Sequence, residues 1–455
     1  MIKKIVLITS LSLGIVFGAS QTEDSIFKNV DTIIQNDVDN GFGGAVLAVI
    51  KDGEVIKESA YGYRDRFKSD CITRPDYTIP NSCYLEMAQR APMTVNTKFD
   101  LASLTKIYST VFSMMHLVYQ GKLDLNKPVA DYIQDYPYKD ITVKQVAEHT
   151  AGFGPEVNFY NRNDVMYNGK TVEENGFYSQ DRATTLDFIT GRNDSDNNPN
   201  YLVVPREYEP GTKNIYSDTD FMLLGTIIEH ITGKSQDKYV KEEIYKPLGI
   251  QLTYKPLENG VDINQIAQTA IGNWDASYSE VYEKYLRIEF YDNMRLNPIR
   301  GHSQDEKLFY SMGEVSGHAG LFGSVEDLEP LVKLLLNGGS YNGVTLFDQK
   351  TLDLFTTPVA TNDTYGIGWR LAGDDGKMAW MMGDYASDKA FGHTGFTGMV
   401  TVIDPKKNFA VILLTDKLQS QQLSKGSFKS SQDYKTPNYG SIMTPIEEDI
   451  EKYLN

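Results

Sequence analysis

Gly44–Tyr61 reads GAVLAVIKDGEVIKESAY. An apolar run, Gly44–Ile50, is followed by Lys51 and the pair Asp52-Gly53, and Glu54–Tyr61 then alternates polar and apolar side chains. Asp-Gly between two such runs is a strong hairpin signal, because a two-residue turn of this kind needs positive φ at both central residues. Far down the chain the design recurs, with Thr397–Ile403 and Phe409–Thr415 flanking Asp404-Pro405. Two hairpins at opposite ends predict one antiparallel sheet built from both chain ends. A short helix is expected near Ile26–Val38. At the tail, Thr444-Pro445-Ile446-Glu447 fits a capping box with proline at the first helical position. Ile446, Ile450, Tyr453 and Leu454 then mark one helical face fit to cover the sheet.

Between the hairpins the chain reads as helix and loop. Ser103–Tyr119 is a long apolar helix ended by Gly121, Ile141–His149 a shorter one, and Phe221–Thr232 and Val325–Leu336 are amphipathic. Gly191–Asn200 and Lys417–Tyr439 are polar and read as surface loops. The expected class is α/β (α+β): a sheet lobe over about 21–98 and 300–455, an inserted helical lobe over about 99–299, and a cleft between them where ligands prefer to bind.

The 455 residues are 41% hydrophobic and 23% charged, which excludes wholesale disorder. With 44 Lys plus Arg against 61 Asp plus Glu, the net charge is −17, which argues against nucleic acid as a main partner. Met1–Lys4 followed by the apolar run Ile5–Phe17 and the small residues Gly18-Ala19-Ser20 reads as a signal peptide over 1–20, or as an uncleaved anchor. The protein is therefore expected to be exported, periplasmic or extracellular, with membrane association through the N-terminus only. An oxidising compartment allows Cys71 and Cys83 to pair around Ile72–Ser82, a bridge worth about 3 kcal/mol in the chain-entropy model. Two separate buried thiols are the alternative.

Ser103-Leu104-Thr105-Lys106 fits Ser-x-x-Lys, a pattern that chance alone supplies; Ser235-Gln236-Asp237-Lys238 is a second match, read as a helix-capping serine. Ser103 differs in opening a very apolar helix, so its hydroxyl and the Lys106 amine share one face, a turn apart. Burial and the positive helix end are expected to lower the Lys106 pKa towards a useful base. Tyr216, in Tyr216-Ser217-Asp218, precedes a helix and can project its phenol into a cleft, where it could relay a proton or serve as an aromatic plug. Gly392-His393-Thr394-Gly395-Phe396-Thr397-Gly398 opens the late hairpin, and an amide there can donate to an oxyanion. Asp194-x-Asp196-x-Asn198 begins like a calcium loop but has Pro199 at the turn glycine, and it reads as a polar loop. The six His show no metal spacing; His149 and His318 read as structural hydrogen-bonders. No metal or cofactor is implied.

Taken in order, Ser-x-x-Lys, Tyr-Ser-Asp and His-Thr-Gly resemble the three signature elements of serine β-lactamase-like, penicillin-recognising enzymes, in the group related to class C β-lactamases and low-molecular-weight penicillin-binding proteins. Phe99-Asp100-Leu101-Ala102-Ser103, Gly121–Leu125, His149–Phe153 and Pro247-Leu248-Gly249 are similar to common landmarks of that family. Tyr178–Asp181, Asp305-Glu306-Lys307 and Ser316–Phe322 look more specifically like a subgroup of D-alanyl-D-alanine carboxypeptidase-like members. The resemblance implies Ser103 as acyl-forming nucleophile, Lys106 and Tyr216 sharing proton transfer, and the amides of Ser103 and Phe396 as oxyanion donors. His393 and Thr394 would face a substrate carboxylate, with Gly395 beside them. The implied partner is a small molecule or a peptidoglycan peptide, cut by a carboxypeptidase, an esterase or a weak β-lactamase, or else bound without hydrolysis. Two departures stand out: Asp218 occupies a position where many relatives have Asn, and His393 replaces Lys. Asp218 accepts only, and pairing with Lys106 would raise that amine's pKa.

Overall fold

The computed structural model describes residues 26–72, 79–162, 175–191, 202–273, 293–419, 422–424, 427–428 and 434–453. The leader read over 1–20 and the Asp194–Asn198 loop lie outside them.

Helix α1 (Lys28–Asp39) leads into β1 (Gly44–Lys51) and β2 (Glu54–Gly62). Asp52 and Gly53 take φ values of 53° and 83°, as the predicted turn requires. Three short strands, β3 (Phe99–Asp100), β4 (Thr253–Tyr254) and β5 (Leu321–Gly323), pair in the order β3-β5-β4. Strands β6 (Arg370–Leu371), β7 (Phe391–Gly395), β8 (Met399–Asp404) and β9 (Phe409–Thr415) complete the main sheet, whose order is β6-β7-β8-β9-β1-β2. Every neighbouring pair is antiparallel, and β9 meets β1 with Ile412 opposite Ala48. The first and last hairpins are thus zipped together at the centre of one sheet.

Both faces of β1 are covered, which explains its unbroken apolar run. Val46, Ala48 and Ile50 join the larger core, while Ala45, Leu47 and Val49 join a second core on the opposite face. The larger core takes in α2 (Phe112–Tyr119), α3 (Val143–Ala147), α4 (Asp218–Thr232) and α5 (Val325–Leu336). The second is closed by α1 and α6 (Gly440–Tyr453) through Val30, Ile34, Ile442, Met443, Ile446 and Ile450.

Several boundaries differ from expectation for identifiable reasons. Helix α6 begins at Gly440, leaving Pro445 inside it. Ile442 and Met443 are fully buried, and that burial offsets the backbone bond that proline cannot make. Helix α3 starts only after Thr142, whose side chain accepts from the Gln145 amide in a capping box. Ser235 occupies an N-cap position but makes no side-chain cap bond. The segment read as a loop after Lys417 contains a helical turn, Lys417–Gln419, and short paired strands, Gln422–Ser424 and Ser427–Phe428. Cys71 and Cys83 are joined by a disulfide. No helix among the described residues is long and apolar enough to cross a membrane.

Candidate active site

The nucleophile candidate sits on a tight, held turn. Ala102 has φ 44°, a left-handed conformation that is unfavourable for a residue with a Cβ. Asp100 holds it there: one carboxylate oxygen accepts from the Ala102 amide at 3.0 Å and the other from the Gln304 amide at 2.7 Å. Burial pushes the Asp100 pKa up to about 6, against the pull of these amides. The Thr397 hydroxyl donates to the Asp100 carbonyl at 2.8 Å, tying the turn to the loop after β7. At Gly395 a Cβ would come within 2.7 Å of the Leu101 carbonyl, so this approach of strand to turn demands glycine.

After Ser103 the chain enters a wider, π-type turn over Lys106–Val111 that runs on into α2. Such local widening is common at functional sites. The fully buried Lys106 donates to Ser103 Oγ at 3.0 Å, to Asp218 Oδ1 at 2.7 Å and to the His318 carbonyl at 3.1 Å. Tyr216 donates to Ser103 Oγ at 2.9 Å, and its ring centroid is 4.9 Å from the Lys106 nitrogen. Residues 113 positions apart therefore meet within bonding reach. The His318 carbonyl reaches Lys106 because Gly317 presses against α4, where a Cβ would overlap the Phe221 carbonyl.

Of the two sequence expectations for Lys106, a neutral amine fails and pairing with Asp218 holds. Burial does disfavour its charge, but Asp218, and Tyr216 with it, more than reverse that effect and carry the ammonium above its ordinary pKa. Burial works against the Asp218 anion too, yet Lys106, Lys307 and His318 hold its pKa below the usual carboxylate range. Lys307, which the sequence marks only within the Asp305-Glu306-Lys307 resemblance and gives no role, belongs to the site. Its ammonium lies 2.6 Å from Glu156, 3.2 Å from Asp218 and 3.5 Å from Asp305. Asp218, Asp305 and His318 gather possible metal-ligand atoms within 4.8 Å of one another, but Lys307 already supplies the cation that the two carboxylates need.

Behind Tyr216 lies a second buried pair. His149 Nδ1 is 2.9 Å from Asp220 Oδ2 and also receives the Ser217 amide at 3.1 Å. The Ser217 amide points at Nδ1, so the one lone pair of that nitrogen is shared between the amide and the Asp220 carboxyl. Burial drives both groups towards their neutral forms: the Asp220 pKa rises well above its ordinary value and that of His149 falls well below. The His149 ring packs 4.8 Å from that of Tyr216 and backs the phenol.

Ser103, Tyr216, Asp218, Phe396 and Lys307 line one cleft of about 370 Å³, so both implied oxyanion-donor residues border the same space. His393 is buried, and its ring centroid is 6.0 Å from that of Tyr216. Its Nδ1 bonds the Thr394 carbonyl at 2.7 Å, and burial followed by the charge of Lys106 pushes its pKa down to about 3. It is a neutral imidazole. Thr394 and Gly395 line a neighbouring hollow, which Phe396 shares with the cleft.

A model of the β-lactamase family matches residues 30–427. The chain belongs to the β-lactamase family. It is a serine hydrolase of the β-lactamase/transpeptidase-like fold. It is 40% identical over 441 residues to the N-acetylmuramyl-L-alanine amidase of Bacillus subtilis (strain 168), covering 93% of this chain and 89% of that one. It is 37% identical over 402 residues to a Salmonella agona (strain SL483) protein named "Putative D-alanyl-D-alanine carboxypeptidase", covering 86% and 82%. A penicillin-binding protein homologue from Caulobacter crescentus shares the fold at a TM-score of 0.61 and 17% identity, over 93% of this chain and 98% of that one.

Proposed function

We propose that this family member is an exported serine amidohydrolase of peptidoglycan fragments, cutting the amide between N-acetylmuramic acid and L-alanine through a Ser103 acyl-enzyme. The observation that carries the choice of bond is His393. A D-Ala-D-Ala substrate presents a terminal carboxylate beside its scissile bond, and a buried neutral imidazole offers it no charge. The leaving group of the muramyl amide continues as a peptide and needs no cation at that point. The B. subtilis relative is named for that bond.

Because Asp218 keeps Lys106 cationic, the base in this reading is Tyr216. Burial disfavours its phenolate, and the adjacent ammonium stabilises it. In the minor form in which Tyr216 is a phenolate, Ser103 Oγ attacks the carbonyl while its proton passes to the Tyr216 oxygen, making it a phenol. The amides of Ser103 and Phe396 receive the oxyanion, a contribution of about 10²–10³ in rate per donor. The C–N bond then breaks, and the phenol returns its proton to the departing amine. A water molecule attacks the ester, gives its proton to Tyr216, and the acid leaves as Ser103 recovers its hydroxyl.

The carboxypeptidase reading is second, and Lys417 favours it. This lysine lines the hollow with Thr394, its nitrogen 5.4 Å from the Phe396 ring centroid; burial lowers its pKa, and a terminal carboxylate reaching that far would favour its charged form. Mass analysis after incubation with N-acetylmuramyl-L-Ala-D-Glu and with a D-Ala-D-Ala-terminated pentapeptide separates the two. The first reading predicts free N-acetylmuramic acid from the former; loss of alanine from the latter alone would overturn it in favour of the second.

A further inference from the structure

On the short helix Ala379–Met382, Met381 and Met382 are buried in the core, whereas the Trp380 side chain between Ala379 and Met381 is turned outward and is 50% exposed. Phe396, just after β7, is 47% exposed. These two aromatic rings, with Tyr439, line the hollow beyond the cleft, a space of about 340 Å³. Leaving two large apolar rings in water forfeits burial free energy that a ligand can restore. The rim is polar, supplied by Thr394, Asn438 and Lys417. Aromatic faces with a few convergent polar groups match a molecule with one apolar face and a polar edge. A pyranose ring has that shape: its axial C–H bonds meet the negative face of an aromatic ring while its hydroxyls and acetamide reach outward. Phe396 walls both the hollow and the Ser103 cleft, so a group attached to the acyl side of the scissile amide can extend past it.

We infer that this hollow is a subsite for the ring of an N-acetylated amino sugar, with Trp380 and Phe396 as its stacking surfaces. The inference rests on the amidase reading and names the part of the substrate that the nucleophile does not touch. It makes the enzyme selective for peptides still attached to sugar over the same peptides carrying lactate alone.

The test compares kcat/KM for N-acetylmuramyl-L-Ala-D-Glu with that for the sugar-free lactoyl-L-Ala-D-Glu, and measures binding of N-acetylmuramic acid itself by saturation-transfer NMR. Wild type should prefer the sugar-bearing peptide at least tenfold. Trp380→Ala should cut that ratio by about tenfold, the upper range of an aromatic contact, and Trp380→Phe should restore most of it. The free sugar should show ring-proton saturation with wild type that Trp380→Ala loses. Equal rates on the two peptides, or sugar binding indifferent to Trp380→Ala, would overturn the subsite. Sugar binding lost in Trp380→Ala, together with no cleavage of either lactyl amide, would instead keep the subsite and refute the amidase reading. Cleavage of the D-Ala-D-Ala pentapeptide with a KM raised by Lys417→Ala would assign the hollow to a carboxylate and refute both.

Discussion

Asp218 and Asp220 stand two residues apart at the start of one helix, Asp218 at the cleft wall with 16% of its side chain exposed and Asp220 fully buried, and they differ in charge state. Asp218 sits between two ammonium groups, Lys106 and Lys307, and stays ionised. Asp220 faces an imidazole 2.9 Å away, and burial, with the Asp218 charge, raises the carboxyl pKa well above the ordinary value, favouring the protonated form. Burial penalises charge at both positions; the neighbours decide whether that penalty is met. Residues i and i+2 point to different sides of a helix, so one turn feeds a charged site on one side and a neutral buttress on the other. Ser103 thus receives hydrogen bonds from a cation held by Asp218 and from a phenol whose backing carries no charge.

Breaking the charged member should cost most. Asp218→Leu leaves Lys106 and Lys307 without their shared anion; kcat/KM should fall about 10³-fold, and stability in urea should drop by about 3–5 kcal/mol, the usual result of removing one partner of a buried pair. Retained activity would mean that Lys106 works without Asp218. The neutral member should respond to chemistry rather than charge. Asp220→Leu removes the donor to His149 and should cost about 1–3 kcal/mol, whereas Asp220→Asn keeps a donor there and should cost less than about 1 kcal/mol at pH 5. An Asn variant as damaged as the Leu variant would argue for an ionised Asp220.

The same pair differs in its response to pH. An acid whose folded pKa is raised stabilises the fold below its unfolded value and loses that contribution as pH climbs towards the folded value. Wild type should therefore lose up to about 1.4 kcal/mol per pH unit relative to Asp220→Asn as pH rises above about 4. A depressed acid runs the other way: the contribution of Asp218 is present above its unfolded pKa and fades as pH falls below about 4. Parallel denaturation curves for wild type and Asp220→Asn from pH 5 to 8 would contradict the neutral assignment. On the catalytic side, kcat/KM should keep rising through the alkaline range, since burial raises the Tyr216 pKa. The smallest effect belongs to His393→Lys, which should tighten binding of a free D-Ala-D-Ala terminus severalfold, but not of its amide-capped form, in a direct binding titration.

Much of this was legible in local sequence. The Asp52-Gly53 turn and the second hairpin located the main sheet, since turn chemistry and apolar runs are short-range signals. Ser103, Lys106 and Tyr216, which the structure brings within bonding reach, stand out in sequence because their spacing and order carry information. Asp305 and Lys307 stand out in sequence only as part of a resemblance, and Glu156 not at all: they act on Asp218 from segments dozens of residues away, so sequence gives none of them a role at the site. For Lys106 the sequence offers two opposing effects, burial in an apolar helix and the anion of Asp218, and only the 2.7 Å pairing shows which prevails. Pro445 was taken for a helix start because proline fits the first turn well, and only the buried Ile442 and Met443 reveal that the helix begins earlier.

The central claim is that Ser103 is the acylated residue in a site whose lysine stays charged. Rapid quenching of the enzyme with an activated p-nitrophenyl ester, followed by intact-mass and peptide mapping, tests it directly. The account predicts one acyl group per chain, mapped to Ser103 and absent from Ser103→Ala. Full turnover by Ser103→Ala, or an acyl group mapped to another residue, would contradict it.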